Sequence, residues 1–434
     1  MGRMNLPGNA EEGQENSLRG GPFKPVLFGG TGDGIVAVMR LRHGIDLGYC
    51  TNIHRGETWE ETFGALRVHT DAVRRRVAGD FPYGIGLRLS AEAAAQLTGS
   101  GEDRDAFRRW LEESGSYLFT VNGFPYGSFH GTRVKENVYA PDWRTPERLA
   151  YTNRLFDLLD DLAPAGREIS VSTLPGSFKD FLPAGEREAA LEAICGNLRA
   201  CSDHIESIRQ RSGRDVHLGL EPEPLGLFET SAETVSFFER LVDGTGPEER
   251  ERILRNLGVN YDTCHLAVEF EEPARALGRL RDAGVRISKI HLSSALAFAP
   301  APGALERLRD FEEGVYLHQA IVREGDEIIA RLRDLPEAFA WAEDRDGRWG
   351  EEWRVHFHVP IHTRPEEPFG DTRDHVTGTL DVLADEPGLC RHFEMETYTW
   401  EVLPPAMRAH DVVDQLVCEY EWTLSEMRKR GLAD

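Results

Sequence analysis

The chain has 434 residues, in which 74 Asp and Glu outnumber 50 Lys and Arg, giving a net charge of −24 at pH 7 with histidine neutral. Apolar residues make up 40% and charged residues 29%, a globular composition that excludes a chain disordered throughout. The negative charge argues against nucleic acid as a partner, because phosphate binding needs concentrated positive charge.

No stretch approaches the roughly 18 apolar residues of a membrane helix, so we expect no membrane insertion. The N-terminus is polar and rich in glycine, which is not typical of a signal peptide. The six cysteines form no Cys-x-x-Cys pair, so neither a zinc ribbon nor a disulfide framework is expected. These features together predict a cytoplasmic protein with reduced thiols.

Residues 1–38 are predicted to be a flexible leader. This segment carries four glycines between Gly29 and Gly34, but their spacing is not that of a phosphate-binding loop and no lysine follows directly. A regular apolar pattern begins at Met39, so residues 39–434 are predicted to form the folded part. At about 150 residues per domain the length favours two or three domains, although one α/β barrel with insertions reaches the same size.

Short apolar or β-rich runs alternate with longer segments that place apolar residues at helical spacing. Strands that alternate with helices indicate a parallel sheet, and eight such units favour a closed ring over an open sheet. The sequence therefore predicts an α/β fold, a (β/α)8 TIM barrel. Its predicted strands are Leu47–His54, Gly84–Ser90, Tyr117–Phe124, Glu168–Leu174, Val216–Glu223, Leu257–His265, Ile287–Ser293 and Arg391–Thr397.

Local signals support the helices between these strands. Thr58 and Glu61 form a capping-box pattern, in which each side chain reaches the backbone N–H of the other residue. Pro146 stands at a plausible first helical position, where its missing N–H is not needed. The segments predicted as helices are Thr58–Val77, Thr145–Leu162, Glu186–Ser212 and Ser231–Val242.

The last unit of the barrel is interrupted. From about residue 296 to 364 the chain is longer than one crossover needs, which predicts an insertion or lid after strand seven, at the mouth of the barrel. It contains a predicted hairpin, Tyr316–Val322 and Ile328–Leu332, which turns at Glu324–Gly325–Asp326. A further strand-like run, Trp353–Ile361, follows the hairpin.

Polar side chains gather at the predicted carboxyl ends of the strands, where barrels of this kind place their active sites. The second half of the chain supplies mostly carboxylates and imidazoles there. Several such groups converging without a counter-charge would repel one another, whereas a divalent cation removes that penalty and acts as a Lewis acid. The strand-end residues are His54, Asn122, Thr173, Glu221 with Glu223, Asp262 with His265, His291, and Glu394 with Glu396.

The carboxylates of this set leave alternatives open. Glu221 and Glu223 share a strand face, so alternation cannot choose between them as metal ligands, and either could be a solvent-facing rim residue. Glu396 is preferred to Glu394 because it is nearer the strand end, and Glu394 would need a buried partner. Asp262 is read as a metal ligand or as the N-cap of a following helix.

The basic residues leave alternatives open as well. His265 is a site residue or a surface histidine on the turn after Asp262. His291 is a metal ligand or a satisfied structural histidine. Lys289 lies two residues deeper on the same face, where a buried ion-pair partner is favoured over a Schiff-base lysine. No basic cluster marks a phosphate site, although three arginines could supply one: Arg88, Arg133 and Arg364.

Three further histidines are expected to contact a substrate: His54, His130 and His358. His356 and His358 share one face of a strand, where they could form a second metal site, contact a substrate within a lid, or be ordinary polar positions of an edge strand. His130 belongs to an aromatic loop with Phe124, Tyr126 and Phe129. That loop is interpreted as a packed cap over the mouth or as a hydrophobic wall for the substrate.

The set Glu221, Asp262-Thr263-Cys264-His265, His291 and Glu396 resembles the xylose isomerase-like TIM-barrel superfamily over residues 39–434. Relatives in that superfamily include sugar epimerases and the endonuclease IV type of DNA-repair enzyme. A closer resemblance is to the E member of the Ebo metabolite-traffic cluster. It is carried by Arg42-His43-Gly44, by Tyr49-Cys50-Thr51-Asn52-Ile53-His54 and by Glu396-Thr397-Tyr398-Thr399-Trp400.

The resemblance implies one divalent metal ion, without distinguishing Zn, Mn, Mg or Co, held by Glu221, Asp262, His291 and Glu396. It implies that Glu221 and Glu396 also act as acid and base, and that His265 contacts a substrate oxygen. The implied function is an isomerase or epimerase of a small sugar-like or keto metabolite, which moves a proton beside a carbonyl through an ene-diolate.

Two rival functions stay open. The chain could be a non-catalytic metabolite-binding or traffic protein that kept the barrel, or a metal-dependent hydrolase that uses His356 and His358 for a second metal. The nuclease branch is disfavoured, because it needs further histidines on early strands where this chain has Asn122 and Ser172–Thr173. The partner is therefore expected to be a small molecule, and the oligomeric state stays open.

Overall fold

The computed structural model describes residues 41–127, 135–404, 408 and 411–434. The predicted leader, residues 1–38, lies outside the described residues. Within the described part of the chain, no helix combines the length and apolar character needed to cross a membrane.

The core of the molecule is a ring of eight parallel strands. They follow the spatial order β1-β13-β7-β6-β5-β4-β3-β2, and a parallel bridge from Cys50 to Gly86 joins the two ends of that order. The (β/α)8 barrel is therefore confirmed. Its strands are β1 (Asp46–Tyr49), β2 (Tyr83–Arg88), β3 (Ser116–Asn122), β4 (Ile169–Thr173), β5 (Val216–Leu220), β6 (Leu257–Asp262), β7 (Arg286–Leu292) and β13 (His392–Met395).

Each strand falls largely within a predicted run, but several end earlier than predicted. The first ends at Tyr49 rather than His54, because the chain turns into a 3-10 helix at Thr51–Ile53. The fifth ends at Leu220 rather than Glu223. Proline lacks a backbone donor, so Pro222 cannot continue the ladder and Glu221 becomes the last residue before the turn.

Helices separate the strands along the chain. The capping box of Thr58 and Glu61 is present, and Pro146 occupies the first turn of its helix, as predicted. The helices are α1 (Trp59–Ala65), α2 (Asp71–Val77), α3 (Ala91–Gly99), α4 (Gly101–Ser114), α5 (Pro146–Leu162), α6 (Arg187–Ser212), α7 (Ser231–Leu241), α8 (Pro247–Asn256), α9 (Thr263–Val268), α10 (Pro273–Asp282), α11 (Pro302–Leu308), α12 (Leu335–Glu343), α13 (Arg373–Asp385) and α14 (Val412–Lys429).

Shorter turns complete the secondary structure. A π-helical turn at Leu66–Thr70 joins α1 to α2, so the single predicted helix Thr58–Val77 runs on with one irregular turn. Besides Thr51–Ile53, the 3-10 helices are Lys135–Tyr139, Lys179–Phe181, Arg309–Phe311 and Tyr398–Val402.

The insertion after strand seven forms a second sheet with its own apolar cluster. The strand order is β10-β9-β11-β8-β12, and the hairpin turns through Gly325, whose φ of +57° favours glycine. Trp353, Val355 and Phe357 are completely buried in this cluster. Its strands are β8 (Ser294–Phe298), β9 (Ala320–Glu324), β10 (Glu327–Leu332), β11 (Glu352–Val359) and β12 (Gly370–Asp371).

Two glycines let the first and second strands approach closely enough to close the ring. An added Cβ at Gly86 would lie 2.7 Å from the carbonyl oxygen of Tyr49 and would also collide with the Glu394 carboxylate. An added Cβ at Gly48 would lie 2.9 Å from the backbone nitrogen of Gly86. Glycine is therefore required at both positions because there is no room for a Cβ atom, and not because the backbone needs the conformational freedom of glycine.

We predict that Gly86→Ala lowers the free energy of unfolding by about 2 kcal/mol, because overpacking forces the backbone or Glu394 to move. Gly64→Ala is the matched control, since its added Cβ meets nothing within 4 Å inside α1. It should raise stability by about 0.5–1 kcal/mol. Urea unfolding compares the two, and equal midpoints for Gly86→Ala and wild type would refute the closure argument.

Candidate metal centre

Four side chains from consecutive strands of the ring meet at the carboxyl end of the barrel. Glu221, Asp262, His291 and Glu396 each offer one ligand atom, and these atoms lie within 4.8 Å of one another. The Nδ1 of His291 is 3.2 Å from Glu221 Oε1, 3.6 Å from Asp262 Oδ2 and 3.0 Å from Glu396 Oε2. All four residues are buried.

Asp262 caps a helix with one carboxylate oxygen and turns the other oxygen toward the four-residue group. Its Oδ1 accepts hydrogen bonds from the backbone nitrogens of Cys264 at 2.7 Å and His265 at 3.0 Å, so Asp262 is the N-cap of α9. Its Oδ2 has no hydrogen-bond partner within the described part of the chain and faces His291. An N-cap held in this way presents its second oxygen to the centre in a fixed direction.

The charges of the four-residue group favour the binding of a cation. Burial opposes the charged form of His291, but the carboxylates of Glu396 and Glu221 raise the pKa of the imidazole well above its ordinary value. Burial likewise opposes ionisation of Asp262 and Glu221, yet the nearby histidines lower the pKa of both carboxyls. An imidazolium thus offsets part of the carboxylate charge, and a bound divalent ion would take over that role.

A buried ion pair lies beside His291 and holds its imidazole in place. Lys289 contacts Glu394, and both side chains are completely buried. Glu394 Oε2 also lies 3.2 Å from His291 Nε2, which leaves Nδ1 directed at the other three carboxylates. Lys289 is therefore an ion-pair partner, and Glu394 orients the imidazole while Glu396 faces the centre.

The outer oxygen of Glu396 is held by two amides. Asn52 Nδ2 donates to Glu396 Oε1 at 2.7 Å, and Asn122 Nδ2 approaches the same oxygen at 3.4 Å. Asn52 was missed in the sequence, because the first strand was expected to run on to His54. The early turn at Thr51–Ile53 is what brings Asn52 to the ring.

Glu223 takes a different position from Glu221. It is buried, lines the cavity above the centre and lies beside Tyr139, but it does not belong to the four-residue group. Burial, with the charge of Glu221, raises the pKa of Glu223 well above its ordinary value. The strand alternation that made the two glutamates equivalent ends with Leu220.

Two histidines near the centre have fixed tautomers. His265 Nδ1 lies 3.0 Å from the carbonyl oxygen of Pro222, and His358 Nδ1 lies 2.9 Å from that of Glu396. A carbonyl oxygen can only accept, so Nδ1 carries a proton in both residues. Nε2 of each ring is then the nitrogen that is left to face a cation or a substrate hydroxyl.

His356 adds a third such imidazole. Gln319 donates through Nε2 to Pro224, so its Oε1 accepts from His356 Nδ1 at 2.8 Å. His356 Nε2 then lies only 3.3 Å from His358 Nε2. Two ring nitrogens at this distance need a proton or a cation between them. Ligand atoms also converge within 4.8 Å in two overlapping groups: Cys264, His356 and His358; and Asp262, His265 and His358.

A cavity opens directly above the four-residue group. It spans about 560 Å³ including its opening to solvent, within the usual size range of small-molecule sites. Its polar floor includes Glu221, Glu396 and His265, and the insertion supplies His356 from β11 and Gln319 from just before β9. The insertion therefore contributes side chains to the wall of this cavity, and its role as a lid stays a prediction. Aromatic rings form the other walls: Phe124, Tyr139, Tyr316 and Tyr398.

The three histidines predicted to contact substrate have different outcomes. His358 lies beside the centre, and His130 lies outside the described residues. His54 is placed elsewhere: its Nε2 is 2.8 Å from Tyr49 Oη, and its ring stacks on His69 with centroids 4.6 Å apart. It lines a separate, smaller pocket with Arg88, because the first strand ends before it.

The arginines considered for a phosphate site do not line this cavity in the described part of the chain. Arg88 is buried and donates to the carbonyls of Gly56 and Gly127, each at 2.7 Å. Arg133 lies outside the described residues, and Arg364 is not among the lining residues. Lys135 does line the cavity, but it is paired with Asp334.

No family model and no curated protein matches this chain. Solved structures to which the chain as a whole is similar include a xylose isomerase-like TIM barrel protein from Mycobacterium smegmatis in complex with magnesium, 14% identical, with a TM-score of 0.47 over 89% of this chain and 97% of that one. The IOLI protein with a bound zinc atom is 10% identical, with a TM-score of 0.45 over 89% and 99%.

A D-tagatose 3-epimerase-like protein is 12% identical, with a TM-score of 0.42 over 88% of this chain and 100% of that one. These structural neighbours are xylose isomerase-like TIM barrel proteins. At such identities and scores, the fold of this chain is established by its own strand order and ring closure rather than by the neighbours.

The raised pKa of His291 gives a testable prediction. The imidazole holds a proton in the metal-free protein at neutral pH, so binding of a divalent ion through its nitrogen should release about one proton. Calorimetric titration of the chelator-treated protein in two buffers of different ionisation enthalpy measures that release. Identical heats in both buffers would show that His291 is not a ligand.

Proposed function

We propose that this protein is a metal-dependent isomerase or epimerase that acts on a small polyhydroxylated or keto metabolite. The proposal is carried by one observation: two buried glutamates, Glu221 and Glu396, belong to the four-residue group and also line the cavity above it. Groups in that position can touch both a metal ion and the carbon skeleton of a substrate.

The donor set suits a divalent metal. Three carboxylates and one imidazole nitrogen would hold the ion, and such mixed ligands are compatible with Zn, Mn, Mg or Co. When bound, the ion supplies Lewis-acid polarisation of a substrate carbonyl and stabilises the negative charge that develops on its oxygen. The unpartnered Oδ2 of Asp262 supports this assignment.

The residues around the ion have separate roles in the proposal. Glu221 and Glu396 remove a proton from the carbon beside the carbonyl and return one, so that the substrate passes through an ene-diolate. His265 presents the lone pair of Nε2 and accepts a hydrogen bond from a substrate hydroxyl. Asn52 fixes the carboxylate of Glu396 and so restricts the direction in which it takes a proton.

The walls of the cavity indicate the substrate class. Tyr316 and Tyr398 pack edge to face with ring centroids 5.2 Å apart, which makes a rigid aromatic wall above a polar floor. The lysine of the lining, Lys135, is already paired with Asp334. A substrate with hydroxyl or carbonyl groups on one side and without a phosphate group fits these features.

The test is hydrogen exchange at the reacting carbon. Metal-loaded protein in D2O should introduce deuterium beside the carbonyl of D-fructose or dihydroxyacetone, which NMR detects. Glu221→Gln and Glu396→Gln should lower the exchange rate at least about 100-fold, as expected for loss of a general acid or base. Glu401→Gln is the matched control, because Glu401 is paired with Arg55 outside the cavity lining.

Two results would count against an isomerase. Exchange at the wild-type rate in Glu221→Gln would remove that carboxylate from the reaction. Binding of these compounds by the metal-loaded protein without any exchange would favour the non-catalytic binding or traffic protein instead. The closer resemblance to the Ebo cluster and the cytoplasmic location stay predictions, and the six unpaired cysteines are consistent with a reducing compartment.

A metal-dependent hydrolase is a second candidate, favoured by one specific feature. The facing Nε2 atoms of His356 and His358, 3.3 Å apart, would accommodate a second ion near the first. Two ions about 4 Å apart are typical of two-metal hydrolysis. Loss of one bound metal in His356→Asn would support this function, whereas an unchanged metal content would leave only the single-metal centre.

A further inference from the structure

The interior of the barrel carries a second group of ligand-type side chains at its opposite, N-terminal end. Glu168 directly precedes β4, His217 lies on β5, and His392 begins β13. One ligand atom from each lies within 4.8 Å of the other two. Bulky apolar residues usually fill barrel interiors, so this polar layer calls for an explanation.

Each of the two imidazoles is oriented by a serine on a neighbouring strand. His217 Nδ1 lies 2.5 Å from Ser288 Oγ, and His392 Nδ1 lies 2.8 Å from Ser170 Oγ. The other ring nitrogen of His217, Nε2, donates to Glu168 Oε1 at 2.9 Å, because a carboxylate can only accept. Such outer hydrogen bonds are the usual way in which proteins orient metal-ligating histidines.

His392 provides a second, independent indication that this group binds an ion. Its side chain is 1% exposed, yet its Nε2 has no hydrogen-bond partner among the described residues. The nearest carboxylate across the layer is Asp46, with Oδ2 at 4.0 Å from that nitrogen. A buried imidazole nitrogen without a partner is costly, and a bound cation would remove that cost.

Both imidazoles are held in the neutral form by their surroundings. Burial, aided by Arg286, lowers the pKa of His217 to about 4. Burial, aided by His217, lowers that of His392 to about 3. Neutral imidazole is the form that binds metal ions, so no proton has to be removed from the lone pair of His392 at neutral pH.

The surrounding charges indicate which kind of ion would bind. Arg286 donates to Glu168 at 2.7 Å and to Asp215 at 2.7 Å, and Arg391 lies 3.5 Å from Glu168. These guanidinium groups offset the carboxylate charge, so a hard ion held only by charge gains little. Two imidazole nitrogens with one carboxylate oxygen instead favour zinc or cobalt over magnesium or calcium.

Solvent reaches this group of three residues at the N-terminal end of the barrel. A surface recess of about 660 Å³, its open side included, is lined by Asp46, Glu168 and Arg391 among others. Glu168 has 19% of its side chain exposed, whereas His217 lies fully buried behind it. An ion would thus enter beside Glu168 and reach the two nitrogens, and water could occupy a remaining coordination position.

We propose that Glu168, His217 and His392 form a zinc-type metal site at the N-terminal end of the barrel, separate from the centre at the carboxyl end. The site joins β4, β5 and β13, and β13 is not adjacent to the other two in the ring. A bound ion would therefore tie strands together across the barrel and stabilise the fold.

The experiment uses the full chain, stripped with a chelator and dialysed against zinc, with metal content measured by mass spectrometry and stability by thermal unfolding. His392→Asn and Glu168→Gln should each bind one zinc ion fewer than wild type. Zinc should also raise the Tm of each variant by less than it raises the Tm of wild type. His375→Asn is the matched control, because His375 is a buried histidine that bonds to Tyr261 Oη instead. It should keep the wild-type zinc content.

Glu221→Gln distinguishes the two sites. It should lower zinc binding at the carboxyl end of the barrel and leave the zinc ion held by Glu168, His217 and His392 in place. Glu168 is partly exposed, so its substitution keeps the test valid if His392→Asn does not fold. The proposal is overturned if Glu168→Gln binds as much zinc as wild type, or if its zinc content and Tm rise equal those of His375→Asn. Visible absorption of bound cobalt should fall only in part in Glu168→Gln, because the centre at the carboxyl end still binds cobalt, and the part lost there should persist in Glu221→Gln.

Discussion

The structure depends on one electrostatic constraint: three buried carboxylates face a single imidazole nitrogen. Charges of one sign cannot be buried together without a counter-charge, and the protein meets this demand by holding a proton on His291 or by binding a cation. The surrounding bonds keep the group in place. Asp262 is fixed as a helix cap, Glu396 is held by Asn52, and Glu394 with Lys289 supports His291 from below.

The ring of strands is what makes this arrangement possible. The strands β5, β6, β7 and β13 are consecutive neighbours, so their carboxyl ends present four side chains to one point. The ring closes at Gly48 and Gly86, where side chains would not fit. The insertion then adds His356 and Gln319 above that point, which turns an open barrel mouth into a walled cavity.

The sequence predicts the barrel, and the structure brings together the four residues proposed as ligands, because both follow from patterns that persist over several residues. The alternation of strand and helix predicts the fold, and the strand ends point to Asp262, His291 and Glu396. Glu221 is preferred to Glu223 only through the family resemblance. The sequence-based prediction fails where a single turn decides which side chain reaches the barrel mouth. The 3-10 turn after Tyr49 carries no strong pattern, so Asn52 was missed and His54 was expected at the site. The contacts between inserted sheet and barrel, such as Gln319 with Pro224, depend on packing between distant segments.

The most direct test of the account is a crystal structure of the protein grown with zinc, with data collected at the zinc absorption edge. The account predicts an anomalous peak about 2.0–2.2 Å from His291 Nδ1 and from oxygens of Glu221, Asp262 and Glu396. Strong peaks elsewhere with none among these four residues would contradict it, since the buried carboxylates would then be balanced without a metal ion.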